Sequence, residues 1–435
     1  MSNDKILPSE RISNEIKQLF AANDRDETPD NMTNMTNDFL SNLIKKSTIK
    51  VLQEALEEEV KDYLGRGYYE RKPENEFKGY RNGYEPRKIK TAEGKLEIQL
   101  PQLRQTEEPY KSEIMSQIPV ISPELERIAI ETYVRGLSTR DIEDTFKSID
   151  GSKMLSKDAV SKITELLNTE YIKFSQRDLS QYDVIYVYVD GVYEAIGNSG
   201  VIHEAILCAW AILSDKRKIM LHLALGNKES YQCCRDFFDD MLKRGLREPL
   251  LVVSDGAAGI KKAIDECFPH SRRQRCLVHK LRNIANKLSE KGMEELMPVI
   301  RTVFHQTDKK MALQIASSII DEFINEYPSA IKCFQEDLEN CLNFMDFPAG
   351  HHRHIKTTNL LERCFEEQRR RTKVIPRFMT EKSCMKLTFG TLIRVSEKWK
   401  RIKMSELDLA RLRNIRQLMG WKDTGDGFIS RKIVA

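Results

Sequence analysis

DVIYVYVDG, residues 183–191, is the stretch that decides the fold. Its β-rich alternating pattern predicts a strand, and the pair Asp190–Gly191 closes it. PLLVVSDG (249–256) is a second apolar run that ends in the same way, at Asp255. An Asp-Gly pair is most often simply a turn. Two such pairs at the ends of neighbouring strands also predict carboxylates at a sheet edge, where α/β proteins bind ligands.

The residues around these two strands predict a mixed α/β core. Further strand-like runs lie at 201–213, 218–225 and 272–279, and helical runs lie at 229–246, 257–268 and 280–292. The resulting order is β-β-β-α-β-α-β-α. Residues 293–346 then show helical periodicity without a strand pattern.

Composition limits the class of protein. Nine scattered cysteines in 435 residues favour a reducing compartment over a disulfide framework. No run is apolar enough to span a membrane, and the N-terminus MSNDKILPSE lacks a signal-peptide pattern. We therefore expect a cytoplasmic protein with no membrane partner.

Charge is uneven along the chain, although the net charge is only +4. Residues 351–401 contain 14 Lys and Arg against 5 Asp and Glu, and residues 268–291 contain 7 against 1. Between them, residues 307–346 contain 3 against 8. Two basic segments around an acidic one indicate a polyanion surface interrupted by an inserted module, or equally a set of solvated helix faces.

The N-terminal part reads as a polar tail over residues 1–37, a helix over 38–64, glycine-rich turns over 65–90 and short strands over 95–103. Residues 122–167 predict a helix cluster. Ser138 and Ser156 are candidate N-caps, and Asp141 follows Ser138 at capping-box spacing. Two capped helices after a glycine turn fit a helix-turn-helix, but also any small helical connector.

TTNLLERCFEEQRRRTK (357–373) predicts a helix, with Asn359 as N-cap and Glu362 at capping-box spacing. Glu366 with Arg370, and Glu367 with Arg371, are i,i+4 pairs on its exposed face. Read alone, Glu362 is a capping or surface residue. With Asp190 and Asp255 at strand ends, it is also a candidate third carboxylate.

Three carboxylates held close together favour a divalent cation, because unpaired they would repel one another. Mg²⁺ prefers such oxygen ligands, and two ions roughly 3.5–4 Å apart can support phosphoryl transfer. Cys276 and His279 have the spacing of half a zinc site, but no second pair stands at usable spacing. A buried cysteine and a histidine on a basic helix is the simpler interpretation.

At this point the sequence resembles the Mutator-type bacterial insertion-sequence transposases, which belong to the DDE superfamily. The matching motifs run along nearly the whole chain: DYLG (62–65), RNGY (81–84), LPQLR (100–104), YVRGLSTRDI (133–142), YVYVDG (186–191), LKRGL (242–246), VVSDGAAGI (252–260), QRCLVH (274–279), FP (347–348) and TTNLLERCFEEQRRRTK (357–373). The chain departs from the family at 343–345, where a tryptophan is often seen, at Phe237–Phe238 and at Cys364–Phe365.

The resemblance implies an α/β protein with a ribonuclease-H-like mixed-sheet core interrupted by an all-α insertion. The expected divisions are an N-terminal DNA-binding or oligomerisation region (1–115), a helix-turn-helix region (116–180), the first part of the core (181–291), an all-helical insertion (292–350), and the final core helix with a basic tail (351–435).

The resemblance also implies that Asp190, Asp255 and Glu362 are the catalytic triad and ligate two Mg²⁺ or Mn²⁺ ions. It places Cys276 and His279 beside the site. The candidate DNA contacts are Arg81, Arg140, Lys157, His279, Arg282, Arg363, Arg369, Arg370, Arg371 and Lys373.

The implied function is transposition. The protein would bind the terminal inverted repeats of its element, cleave a strand, and join the freed 3′-OH to target DNA. It would act as a homodimer or larger homo-oligomer on the bacterial nucleoid. The alternatives are a metal-dependent nuclease without strand transfer and a transposase-derived regulator that only binds DNA.

Overall fold

The computed structural model describes residues 6–23, 32–70, 78–147, 153–197, 202–226, 230–423 and 428–429. The chain divides into two compact units. The first consists of Met1–Tyr133 and Leu137–Thr164, and the second of Val134–Gly136 and Glu165–Ala435. Among the described helices, none is both long and apolar enough to cross a membrane.

The first unit begins with a helix pair and a β-hairpin. Its elements are α1 (Pro8–Asn23), α2 (Met32–Leu64), β1 (Tyr80–Thr91) and β2 (Gly94–Arg104). The two strands pair antiparallel. Ile89, Leu96 and Ile98 of the hairpin are buried with Leu56 of α2, since alternate strand residues share one face.

Two predictions for this unit are wrong. The expected tail over 1–37 contains α1 and the start of α2, and the expected turns over 65–90 contain most of β1. Gly83 has φ +80° and lies where the β1–β2 register shifts. A glycine can form such an irregularity without ending the strand. Residues 1–5, 24–31 and 71–77 of these two segments lie outside the described residues.

Helices complete the first unit: α3 (Glu113–Gln117), α4 (Pro123–Val134), α5 (Thr139–Thr145) and the start of α6 (Lys157–Gln176). The predicted capping box is confirmed, because Ser138 and Asp141 exchange hydrogen bonds at the start of α5. Ser156 also caps as predicted, accepting from the amide of Ala159. The connection between α4 and α5 is short, residues 135–138. The predicted pair α5–α6 is separated by residues 146–156, longer than the three or four residues of a helix-turn-helix.

The second unit is built on a five-stranded mixed sheet. Its strands are β3 (Val184–Ile196), β4 (Ile202–Leu213), β5 (Lys218–Gly226), β6 (Leu251–Ser254) and β7 (Arg272–Arg275). They lie in the order β5-β4-β3-β6-β7. β4 is antiparallel to both β3 and β5, whereas β3, β6 and β7 are parallel to one another.

Three helices alternate with the later strands: α7 (Tyr231–Lys243), α8 (Ala258–Cys267) and α9 (Leu277–Ala285). The predicted order β-β-β-α-β-α-β-α is therefore confirmed. Phe238 and Ile264 of α7 and α8 are buried in one cluster with Val187 and Val189 of β3. These apolar contacts hold the strand ends of the sheet in fixed positions.

Helices alone follow α9 as far as residue 355. They are α10 (Glu290–Val303), α11 (Lys309–Phe323), α12 (Pro328–Gln335), α13 (Leu338–Leu342), a 3₁₀ turn (Asn343–Asp346) and α14 (Ala349–Ile355). Lys280 of α9 is fully buried, and its Nζ donates to the carbonyls of Cys333 and Glu336 at the end of α12. This lysine satisfies carbonyls that the helix end leaves without intrahelical partners.

The C-terminal part contains α15 (Asn359–Thr372), α16 (Glu381–Glu397), α17 (Glu406–Leu418), β8 (Lys422–Asp423) and β9 (Phe428–Ile429). Gln368 and Thr372 of α15 both donate to Glu194 of β3, at 3.0 Å. Glu194 is an even-numbered residue of β3, whereas Val187 and Val189 are odd-numbered, so their side chains lie on opposite faces of the sheet. Helix α15 therefore lies on the face opposite α7 and α8.

Candidate active site

Asp190 lies within β3, so the prediction that the strand ends there is wrong. β3 continues to Ile196 because β4 pairs with it along that whole length. Pairing with β6, however, stops at Tyr188–Val253. Asp190 therefore lies two residues past the last β3–β6 pair. Its Oδ1 accepts a hydrogen bond from the Gly191 amide at 2.9 Å.

Asp255 directly follows the last residue of β6, so its predicted place at a strand end is confirmed. Its Oδ1 accepts the amide hydrogen of Ala257 at 3.0 Å, which makes the predicted turn as well. Gly256 has φ +86°, and a Cβ there would lie 2.9 Å from Nε of the buried Arg275. The Asp255 turn therefore uses a glycine conformation and passes close to the Arg275 side chain.

Asp190 and Asp255 line one small cleft and are both half-buried. Asp255 also lies two residues past the Tyr188–Val253 pair, which explains why the two carboxylates meet. The other residues of the cleft are mainly apolar: Gly191, Leu207, Cys234, Ala257 and Ile260. The two aspartates thus converge where the parallel strands separate.

Glu362 lies in the first turn of α15, but it is not a capping residue. The helix begins at Asn359 with Thr358 as N-cap, so the predicted Asn359 cap and the capping-box position of Glu362 are wrong. The Thr358 carbonyl accepts from the amides of Leu361 and Glu362, at 2.7 and 3.1 Å. Among the described residues, no side-chain cap hydrogen bond is formed at this helix start.

Two cations of α9 face the Glu362 carboxylate. His279 Nε2 lies 3.7 Å from Oε1, and an Arg282 guanidinium nitrogen lies 3.8 Å from it. The Glu362 side chain is 24% exposed. These distances are those of ion pairs rather than hydrogen bonds.

Cys276 occupies the junction between β7 and α9. Its Sγ accepts the Thr358 amide and hydroxyl hydrogens, at 3.2 and 3.3 Å. Burial alone would raise the pKa of the Cys276 thiol, but the neighbouring His279 and Thr358 outweigh it and lower the pKa. The same thiol raises the pKa of His279 to about 9 against the opposing effect of burial, and Asp190 and Glu362 add to that increase.

The candidate triad of Asp190, Asp255 and Glu362 offers oxygen donors of the kind that divalent cations prefer. Asp190 and Asp255 supply carboxylate oxygens to one cleft, which suits a hard divalent cation. Glu362 is paired with α9 instead. Within the described ranges, no three His, Cys, Asp or Glu side chains form a group that could hold a metal ion. The donor chemistry fits Mg²⁺, with two of the three carboxylates in place.

The basic residues of α15 differ in their contacts. Glu367 pairs with both Arg370 and Arg371, so the expected Glu366–Arg370 pair is replaced. Arg369 is exposed and forms no ion pair within the part of the chain that the structure describes. Arg363 and Lys373 are exposed as well.

The candidate DNA contacts of the first unit also differ. Arg81 donates to the carbonyls of Arg66 and Gly67, at 2.8 and 3.1 Å, and lies over the Tyr68 ring. Its guanidinium therefore secures the segment after α2. Arg140 and Lys157 are exposed at the starts of α5 and α6.

Thr358 is the site residue that sequence reasoning missed. Threonine is a common N-cap, and Thr358 directly precedes Asn359, the predicted cap. The local pattern could have identified it as the cap. No local sequence pattern predicts its bond to Cys276, which is 82 positions away in the chain.

Comparison with known proteins agrees with the motifs. The family model described as "Transposase, Mutator family" matches residues 13–402. The chain is 33% identical to the transposase for insertion sequence element ISRM5 of Rhizobium meliloti (strain 1021), over 80% of this chain and 86% of that protein.

Two further relatives carry the same kind of name. The transposase for insertion sequence element IS6120 of Mycolicibacterium smegmatis is 28% identical over 63% of this chain and 85% of its own length. The transposase for insertion sequence element IS256 in transposon Tn4001 of Staphylococcus aureus is 28% identical over 80% of this chain and 89% of its own length. The chain belongs to the Mutator family of transposases.

Proposed function

We propose that the protein is a DNA transposase that binds the terminal inverted repeats of its insertion sequence, cleaves a strand and transfers the 3′-OH to target DNA. The observation that carries the proposal is the meeting of Asp190 and Asp255 in one cleft, with Glu362 tied to the same sheet edge through Thr358 and Cys276. Two carboxylates in one cleft, with a third on a helix anchored beside it, suit phosphodiester chemistry.

The strand order supports a ribonuclease-H-like assignment of this core. An antiparallel meander, β3 to β5, is followed by two strands parallel to β3, and helices cover both sheet faces. Asp190 lies on β3, and Asp255 directly follows β6, the strand that pairs with β3. The all-helical segment between α9 and α15 is where the family resemblance expects an insertion.

The cofactor we propose is Mg²⁺, or Mn²⁺ in its place, with two ions per active site. Asp190 and Asp255 would hold the ions, and Glu362 would supply the third carboxylate. When bound, the ions provide Lewis-acid stabilisation of the phosphate and lower the pKa of the attacking water. The remaining contribution of the chain is positioning.

Positive side chains on two helices would bind the DNA backbone near these carboxylates. His279 and Arg282 of α9 lie beside Glu362, and Arg363, Arg369 and Lys373 of α15 are exposed. Phosphate contacts position DNA without reading its sequence. We assign recognition of the terminal repeats to the first unit, with Arg140 and Lys157 on its capped helices. A homo-oligomer on the nucleoid, in the cytoplasm, would bring two DNA ends together.

A strand-transfer assay tests the proposal. The protein is incubated with duplexes carrying the ends of its element, target DNA and Mg²⁺, and the products are separated on denaturing gels. We expect joined products, and we expect Asp190→Asn to abolish both cleavage and joining while end binding persists. Asp215→Asn, at an exposed carboxylate between β4 and β5, is the control. Cleavage without joining would instead identify a nuclease, and binding alone would identify a regulator.

A further inference from the structure

One buried cysteine connects the strand of Asp255 to the helix of Glu362. The amide of Cys276 donates to the carbonyl of Ser254, at 2.8 Å, and Ser254 immediately precedes Asp255. On the other side, Cys276 Sγ accepts both hydrogens of Thr358. Cys276 thus bonds to Ser254, one residue before Asp255, and to Thr358, four residues before Glu362.

The Thr358 hydroxyl does not cap helix α15. Threonine at the start of a helix usually accepts a backbone amide hydrogen with its side chain, yet α15 has no side-chain cap. Thr358 is fully buried and donates to the equally buried sulfur instead. The start of α15 is therefore fixed by a contact outside the helix.

A second bond strengthens the same junction. The amide of Leu277, the first residue of α9, donates to the carbonyl of Lys356 at 3.0 Å. One turn into α9, His279 lies against Glu362. The junction between β7 and α9 therefore holds the backbone that leads into α15. Through His279, the same helix α9 also contacts the Glu362 carboxylate.

We infer that Cys276 is a positioning residue that sets where Glu362 stands relative to Asp190 and Asp255. This inference deepens the proposed function and rests on it for its catalytic consequence. The structural part, anchoring of the α15 start by the sulfur, stands independently. Serine retains an acceptor at this position, whereas alanine removes it.

The test compares Cys276→Ala, Cys276→Ser and Cys364→Ala. Cys364 is a fully buried cysteine on α15 itself, so its truncation controls for a cavity beneath the same helix. Hydrogen exchange of peptides covering residues 357–363 is measured first, on protein without DNA or metal. We expect Cys276→Ala to accelerate exchange there about tenfold, because local opening is governed by such contacts. We expect the other two variants to resemble the unmodified protein.

End cleavage and end binding are measured next. Cys276→Ala should slow cleavage roughly 10- to 100-fold, as expected for misplacement of a reacting group, and should leave end binding unchanged. Cys276→Ser should restore most of the rate. Combining Cys276→Ala with Thr358→Val should be no worse than Cys276→Ala alone, since both remove one interaction.

Unchanged exchange in Cys276→Ala, or equal acceleration in Cys364→Ala, would overturn the anchoring. Faster exchange with an undiminished cleavage rate would overturn the positioning role. If the unmodified protein cuts no DNA, the proposed function fails, and the exchange data still decide whether the sulfur anchors α15.

Discussion

The carboxylate of Glu362 lies 3.7 Å from Nε2 of His279 and therefore stands toward α9. Asp190 and Asp255 share a cleft of their own. His279 and Arg282 are the basic side chains that face Glu362 in this arrangement. For Glu362 to act with the two aspartates, its carboxylate has to exchange these partners for the proposed ions.

Glu362→Gln should abolish cleavage and strand transfer while leaving end binding within a few-fold, because the amide keeps the shape and loses the anionic ligand. Glu366→Gln, one turn further along the exposed side of α15, is the matched control and should cut normally. Denaturing gels report cleavage, and mobility shift reports binding. Retained cleavage in Glu362→Gln would remove this residue from the proposed triad.

Arg369→Ala should weaken DNA binding and reduce the log–log salt slope by about 0.9, the value for one neutralised phosphate. Arg370→Ala is the comparison, because Arg370 is already paired with Glu367 and should change the slope less. Affinities at several salt concentrations provide both slopes. Equal slopes for Arg369→Ala and the unmodified protein would contradict a phosphate contact.

Gly256→Ala should destabilise the protein and impair cleavage. A left-handed conformation costs an L-residue roughly 1–2 kcal/mol, and the new Cβ would also meet Arg275 Nε at 2.9 Å. Gly420→Ala shares the positive φ, +80°, but has no atom within 4 Å of the added Cβ. Urea denaturation should show the larger loss in Gly256→Ala. Equal losses would mean that the Arg275 contact costs nothing.

His222 should make stability depend on pH below neutrality. Burial lowers the pKa of His222 from 6.5 to about 3, with Arg244 and Arg177 contributing, although Asp240, itself paired with Arg244, lies 3.3 Å away. The folded state thus holds a neutral imidazole while the unfolded chain is protonated below pH 6.5. The contribution of His222 to stability is therefore complete above that pH and is lost as the pH falls toward 3.

Protonation of His222 in the unfolded chain should lower the free energy of unfolding by about 2 kcal/mol between pH 7 and pH 5. His222→Gln should remove that part of the pH dependence, and His203→Gln, at an exposed histidine of the same sheet, should not. Urea denaturation at the two pH values measures it. An unaltered pH dependence in His222→Gln would show that His222 accepts a proton in the folded protein.

The parts of the fold that follow from local pattern were predictable. Alternation and apolar runs predicted the order of strands and helices around Asp190 and Asp255, and the capping signals at Ser138 and Ser156 were correct. These features depend on residues a few positions apart. The convergence of the two aspartates follows from the pairing of β3 with β6, although only Asp255 stands at a strand end.

The remaining errors involve contacts between distant segments. The strand of Asp190 continues because β4 pairs with it, and a turn dipeptide cannot reveal that partner. Thr358 rather than Asn359 is the N-cap of α15, and its hydroxyl bonds to the distant Cys276. The pairing of Glu362 with His279 and Arg282 also depends on how α9 packs, which no short stretch of sequence specifies.

The buried Lys280 links α9 to the end of α12. On adjacent positions of this nine-residue helix, Lys280 holds the end of α12 while His279 touches Glu362. Because adjacent residues of one helix make both contacts, a shift of α9 would move Lys280 and His279 together. The position of the Glu362 carboxylate is thereby coupled to the packing of α9 against α12.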